Sequence, residues 1–518
     1  MKRQWRKILV KKRYVKAAIL AAAVFLLAAC SNSGGESGAS AAKEVALLFN
    51  FSADSLDPNV ESTYVPIRAG ITETLVHLND ETLEIEPWLA ERWESTDGQN
   101  WTIQLREDVT FQNGNKLDGA AVKASLERAM EANPAVQTAL KIESIEADGY
   151  TLQLKTSMPF AEFPSELVHP NTSIVDVTET DYVNHPVGTG PFQVSAFTPG
   201  AEVKLERYDG YWDGAAKLDG AVFRFNEDAN ARALALQSGE ADIVFKPEAE
   251  SLEMIKSLPG VTVDSEETFR VHQLTMNMAS GPLSDVNVRK ALDALLERES
   301  IVENVLMGLG QPAYGPFPST FSFAPDYPDK EQGIEAAKAH LQKAGYTEEG
   351  GVMQKDGAPL TLKLITYNGR PELPLISQVF QSEAKKIGIE VEIQLVEAPE
   401  DYMAANRDWD VSMYSNLTAP RGDAGYYLNA TYHPDGALNF SGIEDASLTG
   451  MIEALNGTVG QKERSALSKE IAAYIDENMY HSFVVHPNSL VAYNSDKVTD
   501  WETTKSEYYM LTNKLDVK

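Results

Sequence analysis

The chain has 518 residues, 43% of them hydrophobic, with 76 acidic residues against 45 basic ones and a formal net charge of −31 at pH 7. That length exceeds one ordinary domain, and the apolar content is ample for sizeable cores. The negative balance excludes nucleic acid as a partner, and the single cysteine, Cys30, excludes a disulfide within the chain.

The first sixteen residues carry eight Lys or Arg and no acid, and Ala17 to Ala29 is almost purely Ala, Leu, Ile, Val and Phe. This is the n-region and h-region of a signal peptide, too short to span a bilayer comfortably. An uncleaved anchor helix is the alternative. The run ends Leu27-Ala28-Ala29-Cys30, which is similar to a bacterial lipobox; the resemblance implies cleavage after residue 29 and lipid on Cys30. Removing residues 1–29 takes eight positive charges with it and deepens the balance from −31 to −39. Such a chain stays at a membrane through lipid and not through charge, and stable retention needs more than one acyl chain. Residues 30–42, rich in Ser, Gly and Ala, cannot bury enough to order themselves and read as a flexible tether.

The folded part starts near Lys43 with a strand from Val45 to Phe51. Leu56-Asp57-Pro58 and a segment holding Tyr64, Arg68 and Gly70 lead into Glu73-Thr74-Leu75-Val76. Trp101, Ile103 and Leu105 alternate as a strand, Asn113-Gly114 is a turn, and Asp118 caps a helix through Met130 with Val122, Leu126 and Ala129 on one face. In Val187 to Phe192, VGTGPF, Gly188 and Gly190 look like a dinucleotide loop, but Pro191 stands where that motif needs a helix; the pair reads as a tight structural turn. Asp228 to Val244 is a helix and a short strand, Val271 to Met278 a strand, and Val286 to Met307 one long amphipathic helix.

A strand over 361–366, a helix over 371–387 and a strand over 389–395, with Ile389, Val391, Ile393 and Leu395 on one side, form a right-handed strand–helix–strand unit. A short strand, Val411 to Tyr414, then runs into a polar loop from Asn416 to Gly422, and Asp423 is placed to cap a helix starting near Ala424. Ser482 to Tyr493 is the last strand.

The block from Pro87 to Met130, together with VGTGPF and DANARALALQSGEADIV, strongly resembles the solute-binding proteins of oligopeptide, dipeptide and nickel ABC importers, extracellular solute-binding protein family 5. The likeness runs from about Lys43 to the C-terminus. It implies an α/β, two-lobed periplasmic-binding-protein-like fold of the large cluster with an extra subdomain, and a ligand cleft between lobes joined by two hinge strands. The implied organisation is signal peptide 1–29, tether 30–42, lobe one 43–269 plus 490–518 with an inserted subdomain at about 66–186, and lobe two 270–489. The implied function is a monomeric substrate-binding lipoprotein, lipid-anchored on the outer face of the cytoplasmic membrane, that delivers its ligand to a permease and its ATPase. No resident cofactor is implied.

Enzyme chemistry finds no support in the motifs: there is no GxSxG elbow, no HExxH and no P-loop. The eight histidines never fall at HxH or HxxxH spacing, so a metal held by protein ligands alone is not readable.

Ligand residues are expected in the loop after the Val411 strand, since open α/β sheets bind at the carboxyl ends of strands. Asn416, Thr418, Arg421 and Asp423 put two charges and several donors there, and a solvated surface connection is the alternative. Peptide binders of the family place an Asp in this loop, and counting back from Leu428 that position is Pro420. Thr418-Ala419-Pro420 instead resembles the Gly-Ala-Pro of nickel-type members, although Leu417 stands where their loop tryptophan is and Arg421 where they have Tyr. The nickel-type resemblance implies a metal arriving as a small organic chelate. Arg68 and Arg421 would grip its carboxylates; Tyr64, Tyr414 and Tyr426 would pack on it; His433, ahead of Asn439, would face the metal; and Asn439 completes the set. For Arg68 the alternative is a surface pair with Glu73. The alternative ligand is a peptide, taken up or sensed as a signal.

Overall fold

The strand Glu44–Phe49 organises the first lobe of the computed structural model, which describes residues 42–518 except 81, 83, 249, 250, 328 and 329. The expected signal peptide, Cys30 and the expected tether up to residue 41 lie outside the described residues. Glu44–Phe49 pairs in parallel with Gly220–Phe225 on one side and Ile243–Phe245 on the other. Antiparallel Glu202–Arg207 and Phe192–Thr198 extend the sheet. Val45, Leu47 and Phe49 enter one apolar layer with Phe223 and Leu515, while Leu48 packs on the other face against Ala233 and Leu236. A strand covered on both faces needs an unbroken apolar run, which Val-Ala-Leu-Leu-Phe supplies. The helix Ala229–Ser238 covers that second face; Asp228 accepts from the Ala231 amide at 3.0 Å to start it.

An insert builds its own antiparallel sheet, Ala90–Glu94, Asn100–Leu105, Thr151–Thr156 and Ile142–Asp148 in that spatial order. The helix Gly119–Ala132 backs it with Val122, Leu126 and Ala129 buried, and Asp118 caps it by accepting from Ala121 N at 3.0 Å. VGTGPF is a structural turn. A Cβ on Gly190 would stand 2.2 Å from the Gly70 carbonyl oxygen, so only glycine lets the two backbones meet.

The second lobe orders its strands Glu390–Leu395, Thr361–Thr366, Val411–Leu417 and Arg270–Met276. The first two are parallel neighbours linked through the helix Glu372–Lys386. Leu395, the last residue of the edge strand Glu390–Leu395, is 55% exposed and does not share the buried side with Val391. Val411–Leu417 takes in Asn416 and Leu417, which the polar pattern assigned to the loop; it lies between two partners and is buried on both faces, so half-buried alternation does not apply.

The long amphipathic helix over 286–307 is two helices, Val286–Ala294 and Arg298–Asn304. The break turns Arg298 inward: it is 0% exposed, and its Nε donates to the carbonyls of Ala313 and Phe483, each at 2.8 Å, while Nη2 pairs with Asp293. An arginine on the apolar stripe was the sign that one helix would not continue.

The strand His481–Asn494 joins the two sheets. Its first half pairs with Arg270–Met276 and its second half with Val261–Glu267, both antiparallel. A two-stranded ribbon thus runs from one sheet to the other.

Candidate functional site

Beside this ribbon lies a cavity of about 350 Å3, lined from the first lobe by Tyr64, Arg68, Lys246 and Lys505 to Tyr508 and from the second by Arg370, Leu417 and Pro420, with Phe269 and Arg270 from the ribbon. Five of the liners are cations (Arg68, Lys246, Arg270, Arg370 and Lys505) and Glu507 is the one carboxylate among them, in a chain whose net charge is −31. Tyr64, Lys246 and Glu507 all hold left-handed backbone, with φ of +56°, +48° and +62°. Non-glycine residues rarely adopt that region, and strained backbone of this kind gathers at ligand clamps.

Glu507 neutralises part of the charge. Lys246 Nζ lies 2.9 Å from its carboxylate and Arg68 Nη2 3.7 Å away. Burial pushes the Glu507 carboxyl up, but the two cations outweigh it and bring it down to about 2. Burial brings Lys246 down to about 8 against the pull of Glu507, and burial with Arg370 as neighbour brings Arg270 down to about 10. Arg270 donates to Ser415 Oγ at 3.2 Å. Among the described residues the Arg370 guanidinium and the Lys505 ammonium have no hydrogen-bond or ion-pair partner. These cations are poised for an anion that the chain itself does not supply.

Of the residues singled out in the sequence, Tyr64 and Arg68 line the cavity, as do Leu417 at the end of its strand and Pro420 of the loop. Arg68 does not pair with Glu73 and is not on the surface. It is 6% exposed, and its Nε and Nη1 donate to the carbonyls of Glu507 and Thr63 at 2.9 and 2.8 Å. Glu73 is itself buried and accepts from Trp88, Thr189, Tyr211 and Trp212.

Arg421 is buried behind the wall, paired with Glu166 and lying 4.3 Å from the centroid of the Tyr426 ring. Thr418 donates from N and Oγ1 to the Phe269 carbonyl at 2.8 and 3.1 Å, tying the loop to the ribbon. Asn416 sits buried in the strand opposite Val271, and the Tyr414 hydroxyl donates to Glu400 at 2.6 Å. Asp423 is not the N-cap residue. The helix spans Gly425–Tyr432 with Ala424 before it, and Asp423 reaches past Ala424 to accept from Gly425 N at 2.6 Å. The carboxylate is turned toward Arg464, which fixes it a step earlier than a cap. His433 Nδ1 accepts from Asp435 N at 3.2 Å and Asn439 Nδ2 donates to the His433 carbonyl at 3.2 Å, so both serve their own loop and neither lines the cavity. Among the described residues no group of three or more His, Cys, Asp or Glu is placed to hold a metal ion.

The reading of the sequence missed Lys246, Arg270, Arg370, Lys505 and Glu507. One signal was present for Arg370: it stands between the carboxyl end of the strand Thr361–Thr366 and the helix Glu372–Lys386, the same topological position as the loop after Val411–Leu417.

Two α/β lobes, a paired-strand ribbon between them and a cation-lined cavity beside that ribbon define a two-lobed solute-binding protein. The profile of bacterial extracellular solute-binding proteins, family 5, matches residues 84–439, and the chain belongs to that family. It is 33% identical over 500 residues to the nickel-binding protein NikA of Staphylococcus aureus, covering 96% of this chain and 98% of that protein. Among solved structures it resembles a nickel ABC transporter protein from Bacillus halodurans at 60% identity and a TM-score of 0.84, covering 92% of this chain and all of the other. It also resembles Staphylococcus aureus NikA in complex with Ni(L-His)2 at 34% identity and a TM-score of 0.77, with the same coverage. Among the described residues no helix is long and apolar enough to cross a membrane.

Proposed function

We propose that the chain is the substrate-binding lipoprotein of an ABC importer and that its cargo is nickel, or a related metal, carried as a small organic chelate. The observation that carries this reading is the cavity's charge: Arg270, Arg370 and Lys505 face it without a carboxylate partner, and no His, Cys or Met lines it. A bare divalent cation is repelled there, whereas a metal already wrapped in carboxylates brings the anions these groups need. The nickel-binding relatives and the nickel–histidine complex of one of them support the same cargo.

The lipobox-like run ending at Cys30 supports lipid attachment and retention on the outer face of the cytoplasmic membrane. The protein hands its cargo to a permease with its ATPase, acts as a monomer and catalyses no reaction. Native mass spectrometry of protein purified without added ligand, followed by metal analysis, tests the cargo. A co-purified mass that contains metal and a small carboxylate is expected. Short peptides that bind at micromolar concentration while nickel with L-histidine does not would overturn the reading.

A further inference from the structure

The lobes also meet away from the cavity lining. Glu162 and the short helix Phe163–Glu166 of the insert face residues 421–425 and the helix Gln461–Asn478 of the second lobe. Arg421 pairs with Glu166, and Arg464 Nη2 stands 2.6 Å from Glu162 Oε1 and 2.7 Å from Asp423 Oδ1. Glu162, Glu166, Arg421 and Arg464 are 4%, 5%, 7% and 5% exposed. Each of the two glutamates finds its one cationic side-chain partner across the gap, and among the described residues neither carboxylate has another hydrogen-bonding side chain. The surfaces are in close contact: a Cβ on Gly425 would come within 1.8 Å of Glu162 Oε1.

The contact touches the cavity wall on both sides. Pro420, a liner, precedes Arg421 in the chain. Tyr64, another liner, sets its ring edge-on to His169 at 5.6 Å, and the His169 amide donates to the Glu166 carbonyl at 3.2 Å.

We propose that Glu162, Glu166, Arg421 and Arg464 are positioning residues that hold the lobes closed over the solute and set its residence time without touching it. The inference rests on the reading of the cavity as the solute site. Buried charges cost desolvation and are repaid only when both partners are present in good geometry. The closed arrangement is therefore favoured in one register, and removing or reversing one partner leaves a charge stranded between the lobes. When the lobes part, all four groups return to water. The consequence falls on dissociation, since association depends on the open state.

The test uses the full mature chain with Ni(II) and L-histidine as the probe. Glu166→Arg and Arg421→Glu are made singly and as the double exchange, and Gly425→Ala is made separately. That glycine opens a helix, so alanine favours the helix itself while its Cβ occupies the place of the Glu162 carboxylate and pushes it off Arg464. Expected results are at least tenfold faster probe dissociation and a larger radius of gyration for each single variant and for Gly425→Ala. Association within about threefold of wild type, and recovery of both readouts in the double exchange, complete the expectation. Recovery separates a latch from a merely structural role, because two independently damaging changes would add. Should a single reversal fail to fold, Gly425→Ala carries the test alone. Dissociation within twofold of wild type in all folded variants, or no recovery in the exchange, overturns the proposal. If wild type does not bind the probe, the proposed cargo fails. The latch is then read from ligand-free scattering, where equal radii of gyration for wild type and variants overturn it.

Discussion

Arg68 grips Glu507 twice: its Nε donates to the Glu507 carbonyl at 2.9 Å, and its Nη2 lies 3.7 Å from the same residue's carboxylate. The guanidinium also lies 4.8 Å from the centroid of the Phe49 ring, in the core layer of the first lobe. It is a cavity liner that holds the C-terminal segment to the sheet. Arg68→Ala is expected to lower the stability of ligand-free protein by roughly 2–3 kcal/mol, because the Glu507 and Thr63 carbonyls lose a charged donor while the Glu507 carboxylate keeps Lys246. Urea unfolding checks it. Loss of chelate affinity with an unchanged midpoint would show that Arg68 serves the ligand and not the fold.

Arg370 predicts the opposite pattern. With no partner among the described residues, its guanidinium contributes little to folding, and Arg370→Ala is expected to leave stability within about 1 kcal/mol. Affinity for an anionic chelate should fall by about 2–5 kcal/mol, roughly thirty- to several-thousand-fold. Calorimetric titration with nickel and a carboxylate chelator reads this directly. Binding within threefold of wild type removes Arg370 from the site.

Acid should destabilise the fold through His481. The ring is 1% exposed, with Tyr432 Oη 3.0 Å from Nδ1 and Ser441 Oγ 2.9 Å from Nε2. Burial brings it down from 6.5 to about 3, so the folded state keeps it neutral while the unfolded chain takes up a proton below 6.5. The unfolded state then binds more protons, and stability falls as pH drops from 6.5 toward 3, by on the order of 4 kcal/mol from this group. Urea midpoints across that window should show the decline, and His481→Gln should flatten it. An unchanged slope in the variant assigns the acid sensitivity elsewhere.

Two glycines should answer oppositely to alanine. At Gly190 the added Cβ meets the backbone oxygen of Gly70 at 2.2 Å, and backbone cannot step aside, so Gly190→Ala should cost about 3 kcal/mol or more. At Gly450, inside the helix Ala446–Asn456, nothing lies within 4 Å, and Gly450→Ala should stabilise by up to about 1 kcal/mol. Thermal midpoints of the two variants, measured side by side, decide both.

Much of the local structure is legible in the chain because the determinants are local. Asp118 and the Val122–Leu126–Ala129 spacing specify the helix Gly119–Ala132 within a dozen residues, and the apolar run at Val45 specifies a strand covered on both faces. The long helix over 286–307 failed for a non-local reason. Arg298 breaks it to reach Phe483, a carbonyl 185 residues away that no periodicity records.

The candidate site divides in the same way. The amino-acid sequence by itself carries the family-like order of elements and the signal-peptide-like pattern, and it singles out Tyr64 and Arg68, which line the cavity. Only the tertiary structure decided what each charge does. Arg421 and Arg370 carry the same guanidinium, each close to the carboxyl end of a strand of one sheet. One is spent on Glu166, 255 residues away in the chain, and the other is left facing the cavity. The difference lies in which carboxylate the fold brings within hydrogen-bond reach: electrostatic partnership depends on distance in space, and separation along the chain does not encode it.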